Sequence, residues 1–236
     1  MQGLGQVVRG HWQLLLLTGL IFAFWSTPVA APLRILVVFL HEMAHALATI
    51  LTGGSVVSLT FNPQEGGAVI SRGGNRFVIL SAGYCGSLLL GVMLFVIAVR
   101  TRWDRLCLGL LGALILVIML FYVRSAFALG FGALSGGLMI ASAWFLGHGP
   151  NDLLLRLIGL ASMIYVPYDI FSDTIARSYL RSDARMLAEE FGGPTLFWGG
   201  AWLVISLIVI GLCLRYGLGS NSNITLRRPG AKDHNT

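Results

Sequence analysis

Arg34-Ile-Leu-Val-Val-Phe-Leu-His41-Glu42-Met43-Ala44-His45-Ala46-Leu47-Ala48 sets two histidines and a glutamate inside an otherwise apolar helical stretch. An ionisable group at mid-membrane costs roughly 2.5 to 3.5 kcal/mol on insertion scales, so three within so short a run require a compensating partner. A metal ion is the most economical one. His41 and His45 stand at i and i+4, which puts both imidazoles on one helical face about 6 Å apart along the axis, the spacing at which both bind one zinc ion. Glu42 falls beside that face, where a carboxylate reaches a metal-bound water without being a ligand itself.

The rest of the chain explains why this helix is expected in a membrane. Of 236 residues, 56% are hydrophobic and 11% charged, against roughly 25% charged in ordinary soluble domains, and the mean hydropathy is +0.80. A soluble globular protein, a disordered chain and a disulfide scaffold are excluded together, the last because there are only three cysteines. Fifteen of the sixteen basic residues are arginines scattered over short loops, so the net charge of +6 reads as membrane-flanking charge and not as a nucleic-acid surface.

A bilayer core of about 30 Å needs roughly 20 apolar residues of helix. Seven stretches approach this, at Trp12–Ala31, Pro32–Leu51, Phe77–Val99, Leu106–Val123, Phe127–Gly147, Leu153–Phe171 and Thr195–Leu214. Only Arg124, Ser125 and Ala126 separate the fourth from the fifth, so these two form a tight hairpin or one broken element, and six spans is the alternative. Arg9 ahead of the first run and Val29-Ala30-Ala31 after it imitate a secretory signal, but the run is too long and Pro32 would follow the cut; it reads as a retained helix. The basic residues divide almost evenly between the two sides and assign no orientation.

Two segments read as something other than spans. Between Gly53 and Arg76 the chain alternates through Val56-Val57-Ser58-Leu59-Thr60-Phe61, turns at Asn62-Pro63-Gln64-Glu65-Gly66-Gly67 and resumes with Ala68-Val69-Ile70, the pattern of a short β-hairpin or re-entrant loop. From Thr174 to Gly193, apolar positions recur among charges before Gly192-Gly193-Pro194, the pattern of an interfacial amphipathic helix whose glutamates and arginines form a solvated face. The fold expected is therefore an all-α polytopic membrane protein of six or seven transmembrane helices, with the hairpin after the metal-binding helix. It forms one transmembrane domain over residues 1–215, followed by a disordered tail over 216–236.

A zinc ion that activates water has three protein ligands and one open position. The third is sought in Tyr165-Val166-Pro167-Tyr168-Asp169-Ile170-Phe171-Ser172-Asp173, where Pro167 is expected to break the helix just ahead of Asp169. Asp169 is the candidate, with Asp173 one turn on as the alternative. His148, in a Gly-His-Gly-Pro loop, reads as solvated, and Cys85, Cys107 and Cys213 as isolated reduced core residues.

The His-Glu-x-x-His helix with Ala46, the loop with Asn62-Pro63 and Glu65-Gly66-Gly67, the span with Ala82-Gly83-Tyr84-Cys85-Gly86-Ser87, and Tyr168-Asp169-Ile170-x-x-Asp173 followed by Ser182-Asp183-Ala184 together resemble the site-2 protease family of intramembrane zinc metalloproteases, in its peptidase-M50B-like branch. The resemblance spans about residues 32–202. It implies a zinc endopeptidase that cuts within or beside transmembrane segments, with His41, His45 and a later aspartate as ligands and Glu42 as the base. Better-known members place the ligand aspartate directly before a glycine, whereas Ile170 follows Asp169 here.

A substrate helix must unwind before it is cut, and the Val56–Phe61 strand is the expected partner for the unwound segment, with Val57, Leu59 and Phe61 as substrate-binding residues. The partners expected are thus a membrane-protein substrate and the lipid bilayer, with no nucleic acid. Two rivals share the residues: a non-catalytic membrane subunit or assembly factor that keeps the fold and works through a partner subunit, and a metal transporter, for which the spans offer too few ionisable residues.

Overall fold

The computed structural model describes residues 4–177 and 181–224. In chain order it contains α1 (Leu4–Phe24), α2 (Ala31–Leu51), β1 (Ser55–Phe61), β2 (Gly67–Arg72), α3 (Arg76–Arg100), α4 (Asp104–Tyr122), α5 (Ala126–Phe145), α6 (His148–Phe171), α7 (Asp183–Phe191) and α8 (Thr195–Leu212). α6 runs on into a π-helical turn, Ser172–Ala176, and α8 into another, Cys213–Gly217. Among the described residues seven helices are long and apolar enough to cross a membrane, the upper of the two counts expected from sequence. α4 and α5 are separate helices joined by a tight turn.

The spans differ in how much they hide. Of the most apolar window of each, 72% is buried in α2, 61% in α6 and 44% in α3, against 17% to 33% in α1, α4, α5 and α8. α2 is therefore the axis of the bundle, with α3 and α6 packed against it, and the other spans present apolar side chains outward, as helices facing lipid tails do. Pro32 opens α2, and the chain leaves it through Gly53 at φ 83°, a conformation that favours glycine. The hairpin then brings the chain back to α3, whose N-cap Asn75 accepts from Val78 N at 3.2 Å while its own N–H donates to Thr52 Oγ1 at 2.9 Å.

The hairpin pairs β1 with β2 antiparallel, from Ser55 opposite Arg72 to Phe61 opposite Gly67. β1 is the inner strand. Leu59 and Phe61 are buried, Leu59 bridging to Val123 and Phe61 standing among the rings of Phe39, Phe127 and Phe131 at 5.7 to 6.2 Å. Of the three residues expected to bind substrate, Leu59 and Phe61 belong to the core, whereas Val57, at the bulge between Val56 and Ser58, is exposed. Among the described residues the unpaired edge of the sheet is that of β2.

A second correction concerns Pro167. The helix does not break there; α6 continues to Phe171 and beyond, because one missing amide donor inside a span is tolerated where neighbouring helices hold the rest. The expected amphipathic segment is helical over α7, its N-cap Ser182 accepting from Arg185 N at 3.3 Å, and it ends at Gly192 and Gly193, both at positive φ. Residues 178–180, which belong to the same expectation, lie outside the described residues.

The expected tail is placed as far as Ile224. Ser222 N donates to Gly10 O at 2.8 Å, its hydroxyl meets His11 Nδ1 at 2.7 Å, and its carbonyl accepts from Arg156. Residues 225–236 lie outside the described residues.

Candidate metal centre

His41 and His45 project from the middle of α2 toward α3, their rings edge to face with centroids 4.7 Å apart. The two Nε2 atoms are 3.0 Å apart. His45 is oriented by its other nitrogen, since Nδ1–H donates to the carbonyl of Ile79 on α3 at 2.7 Å and turns Nε2 toward His41 and Asp183. His41 is braced by Tyr84, whose ring stands edge-on to it with centroids 4.9 Å apart.

The third member is Asp183, at the start of α7. Its Oδ2 lies 3.0 Å from His41 Nε2 and 3.1 Å from His45 Nε2. Burial pulls this carboxyl toward its neutral form, but the adjoining imidazoles outweigh burial and hold it well below the usual carboxylate range. Three donor atoms from α2 and α7 thus converge on one point, and these are the residues that could hold a metal ion among those described. Two imidazole nitrogens and a carboxylate oxygen form the donor set of water-activating zinc sites.

Gly83 tests whether there is room. A Cβ built there would stand 2.4 Å from His41 Nε2 and 2.5 Å from His45 Nε2, closer than real Cβ atoms come to any neighbour. The space a side chain would fill lies against the two Nε2 atoms, and the absence of a side chain at position 83 keeps it clear. The residues present fit a metal.

Asp169 and Asp173 stand apart from this convergence. Asp173 accepts from the Tyr84 hydroxyl at 2.6 Å and from Arg177 at 3.1 Å, and Asp169 lines the same cavity. The carboxylate that meets the two imidazole nitrogens is that of Asp183 on α7, where Asp169 is expected from sequence. A signal for Asp183 exists in the sequence: Asp183, Leu187 and Phe191 share one stripe of α7, and Asp183, Ala184 and Leu187 are buried, so this carboxylate lies on the apolar side of its helix and not among the solvated charges.

Glu42 is buried, and its carboxylate takes no hydrogen bond among the described residues. It faces Gly67, the first residue of β2, so closely that a Cβ there would lie 2.5 Å from Oε1. Glu42, His41, His45 and Asp183 open into a cavity of about 890 Å³, walled on one side by Gly66 to Val69 and on the other by Tyr165 and Asp169.

A family model described as Peptidase M50B-like matches residues 14–213, a stretch that contains every residue of the centre. Among curated proteins and among solved structures, none matches the chain. Seven apolar spans, a His-Glu-x-x-His helix at their axis and a match over most of the length make this chain a multi-pass integral membrane protein that belongs to the Peptidase M50B-like family.

Proposed function

We propose that the protein is a zinc endopeptidase that hydrolyses peptide bonds within or next to transmembrane segments. The observation that carries this is the convergence of His41 Nε2, His45 Nε2 and Asp183 Oδ2 beside an unpaired Glu42. When bound by these three residues, zinc lowers the pKa of a water to near 7 and polarises a carbonyl oxygen. Glu42, buried beside the three ligands, is placed to accept a proton from an attacking water and to return it to the leaving amine. His45, locked through Ile79, and His41, braced by Tyr84, keep their ring positions through the reaction.

The substrate lies extended along the free edge of β2. Strand addition satisfies the backbone of an unwound transmembrane segment, which otherwise leaves polar groups bare in an apolar setting. Ala68 and Val69 line the cavity, so a strand paired there passes in front of Glu42.

Glu42→Gln tests the reading. The purified variant is expected to keep the zinc-to-protein ratio of the wild type and to lose cleavage of a fluorogenic transmembrane peptide by at least about 100-fold, the lower range for removal of a general base. Cleavage at the wild-type rate would refute it.

A further inference from the structure

The turn between the hairpin strands carries an oddity in its backbone. Glu65 has φ 64°, and it is the one non-glycine residue at positive φ among the described residues. Side-chain-bearing residues rarely adopt this region, and such strain persists only where its surroundings impose it. The turn is already organised by Asn62, whose Oδ1 accepts from Gln64 N at 2.9 Å and Gly66 N at 3.1 Å and whose own N–H donates to Gly66 O at 2.9 Å. A glycine at 65 would serve that turn with less strain. The side chain that stands there instead reaches Arg34 on α2, Oε1 accepting from Nε at 2.7 Å.

Arg34 is held from behind. Its Nη1 donates to the carbonyl of Trp25, its guanidinium lies 5.9 Å from the Trp25 ring centroid, and that ring packs on Tyr165 of α6 with centroids 5.7 Å apart. The arginine is thus fixed to α2, to the linker that follows α1 and, through Trp25, to α6. Two residues beyond Glu65, Gly67 meets the Glu42 carboxylate. Arg34, Glu65 and Gly67 all line the cavity.

We infer that Arg34 is a positioning residue: through Glu65 it fixes the beginning of β2, and with it the substrate-holding edge, in register with Glu42. The inference rests on the peptidase reading above and adds to it the device that aligns the hairpin. The strain at Glu65 is the cost of placing an anchor two residues from the edge, where a relaxed glycine turn leaves β2 free to slide or tilt.

The test uses the full chain in detergent, with Glu65→Gly, Arg34→Gln and the double variant assayed on the fluorogenic transmembrane peptide. KM is expected to rise roughly 5- to 30-fold in each single variant, the span that one lost anchoring contact produces, with kcat and the zinc-to-protein ratio unchanged. The double variant is expected to be no worse than the poorer single one, because the two residues act as a unit. A purely structural role predicts the opposite for Glu65→Gly, since glycine relieves the turn. A wild-type KM in that variant, a fall in kcat alone, or additive losses would overturn the inference. Amide exchange of segment 62–70 supplies a readout independent of activity and metal: it is expected to quicken at least about 5-fold in Arg34→Gln, and unchanged exchange would overturn the inference as well. If the wild type cleaves nothing, the peptidase reading fails, and the exchange experiment still decides the role of Arg34.

Discussion

Adding one methyl group at position 83 is the smallest perturbation that addresses the metal centre. In Gly83→Ala the new Cβ stands 2.4 Å from His41 Nε2, 2.5 Å from His45 Nε2 and 2.6 Å from His41 Cε1, so these atoms must retreat to at least 3.0 Å. His45 has little freedom to do so, because its Nδ1 is tied at 2.7 Å to Ile79 on the same helix as the intruding methyl. His41 backs onto the Tyr84 ring. Metal–ligand distances tolerate deviations of about 0.2 Å, well below the retreat required of both ligands. The loss in zinc affinity should therefore exceed the roughly 10- to 100-fold that follows from removing an outer partner alone. Alanine is the better helix former by about 1 kcal/mol, so backbone propensity works against any loss and does not mimic it. The assay is the zinc-to-protein ratio of protein purified in one detergent, with Gly137→Ala as control, since a Cβ at Gly137 meets open space. Full zinc in Gly83→Ala, with helix content unchanged, would mean that the metal is not held between those two nitrogens.

Asp183→Asn should strip zinc while Asp169→Asn and Asp173→Asn retain most of it; equal retention in all three would remove Asp183 from the ligand set. Gly67→Ala places a Cβ 2.5 Å from Glu42 Oε1 and should lower cleavage about 100-fold, the effect of a displacement near 1 Å at a reacting group, with zinc unchanged; wild-type turnover would show that β2 does not abut the base. Phe61→Ala empties a site enclosed by three aromatic rings and should lower stability by about 3 to 5 kcal/mol, read as thermal unfolding in detergent; a loss below about 1 kcal/mol would detach the hairpin from the core.

Local periodicity made some of this legible and long-range packing withheld the rest. The i, i+4 histidines and the glutamate between them declare themselves within one helical turn, and the spans declare themselves by length. Asp183 is 142 residues from His41 along the chain, and only the folding of α7 onto α3 brings it in. Reading α7 as a set of solvated charges overlooked that position 183 falls on the same stripe as Leu187 and Phe191. The hairpin was legible as a hairpin, yet alternation reports faces and not edges. Leu59 and Phe61 share a buried face and the bulge turns Val57 out, whereas strand addition uses an edge, and which edge is free depends on Val123 and the α4–α5 hairpin closing over β1. Pro167 misled because a proline in water and a proline in a bundle have different consequences for the helix that contains it.

The bundle buries a second polar cluster, and the contrast between the two bears on which one does chemistry. Arg156 lies about 20 Å of helix ahead of Asp169 on α6. Its guanidinium donates to both oxygens of Asp152 at 2.6 and 3.0 Å and to the carbonyl of Ser222, and the Ser222 hydroxyl in turn meets His11. Arg100 donates to the carbonyls of Gly217 and Tyr216 at 2.6 Å each. These donors end on acceptors, and what they accomplish is to fasten residues 216–224 against α1 and α3, a use that repays the burial of Asp152 and Arg156 in structure. At the other cluster the arrangement is different. His41 Nε2, His45 Nε2 and Asp183 Oδ2 face one another at 3.0 to 3.1 Å, and Glu42 adds a buried carboxylate with no hydrogen bond among the described residues. The first cluster is closed by its own donors and acceptors, whereas the second gathers two imidazole nitrogens and a carboxylate oxygen at one point, a donor set that a divalent cation would fit.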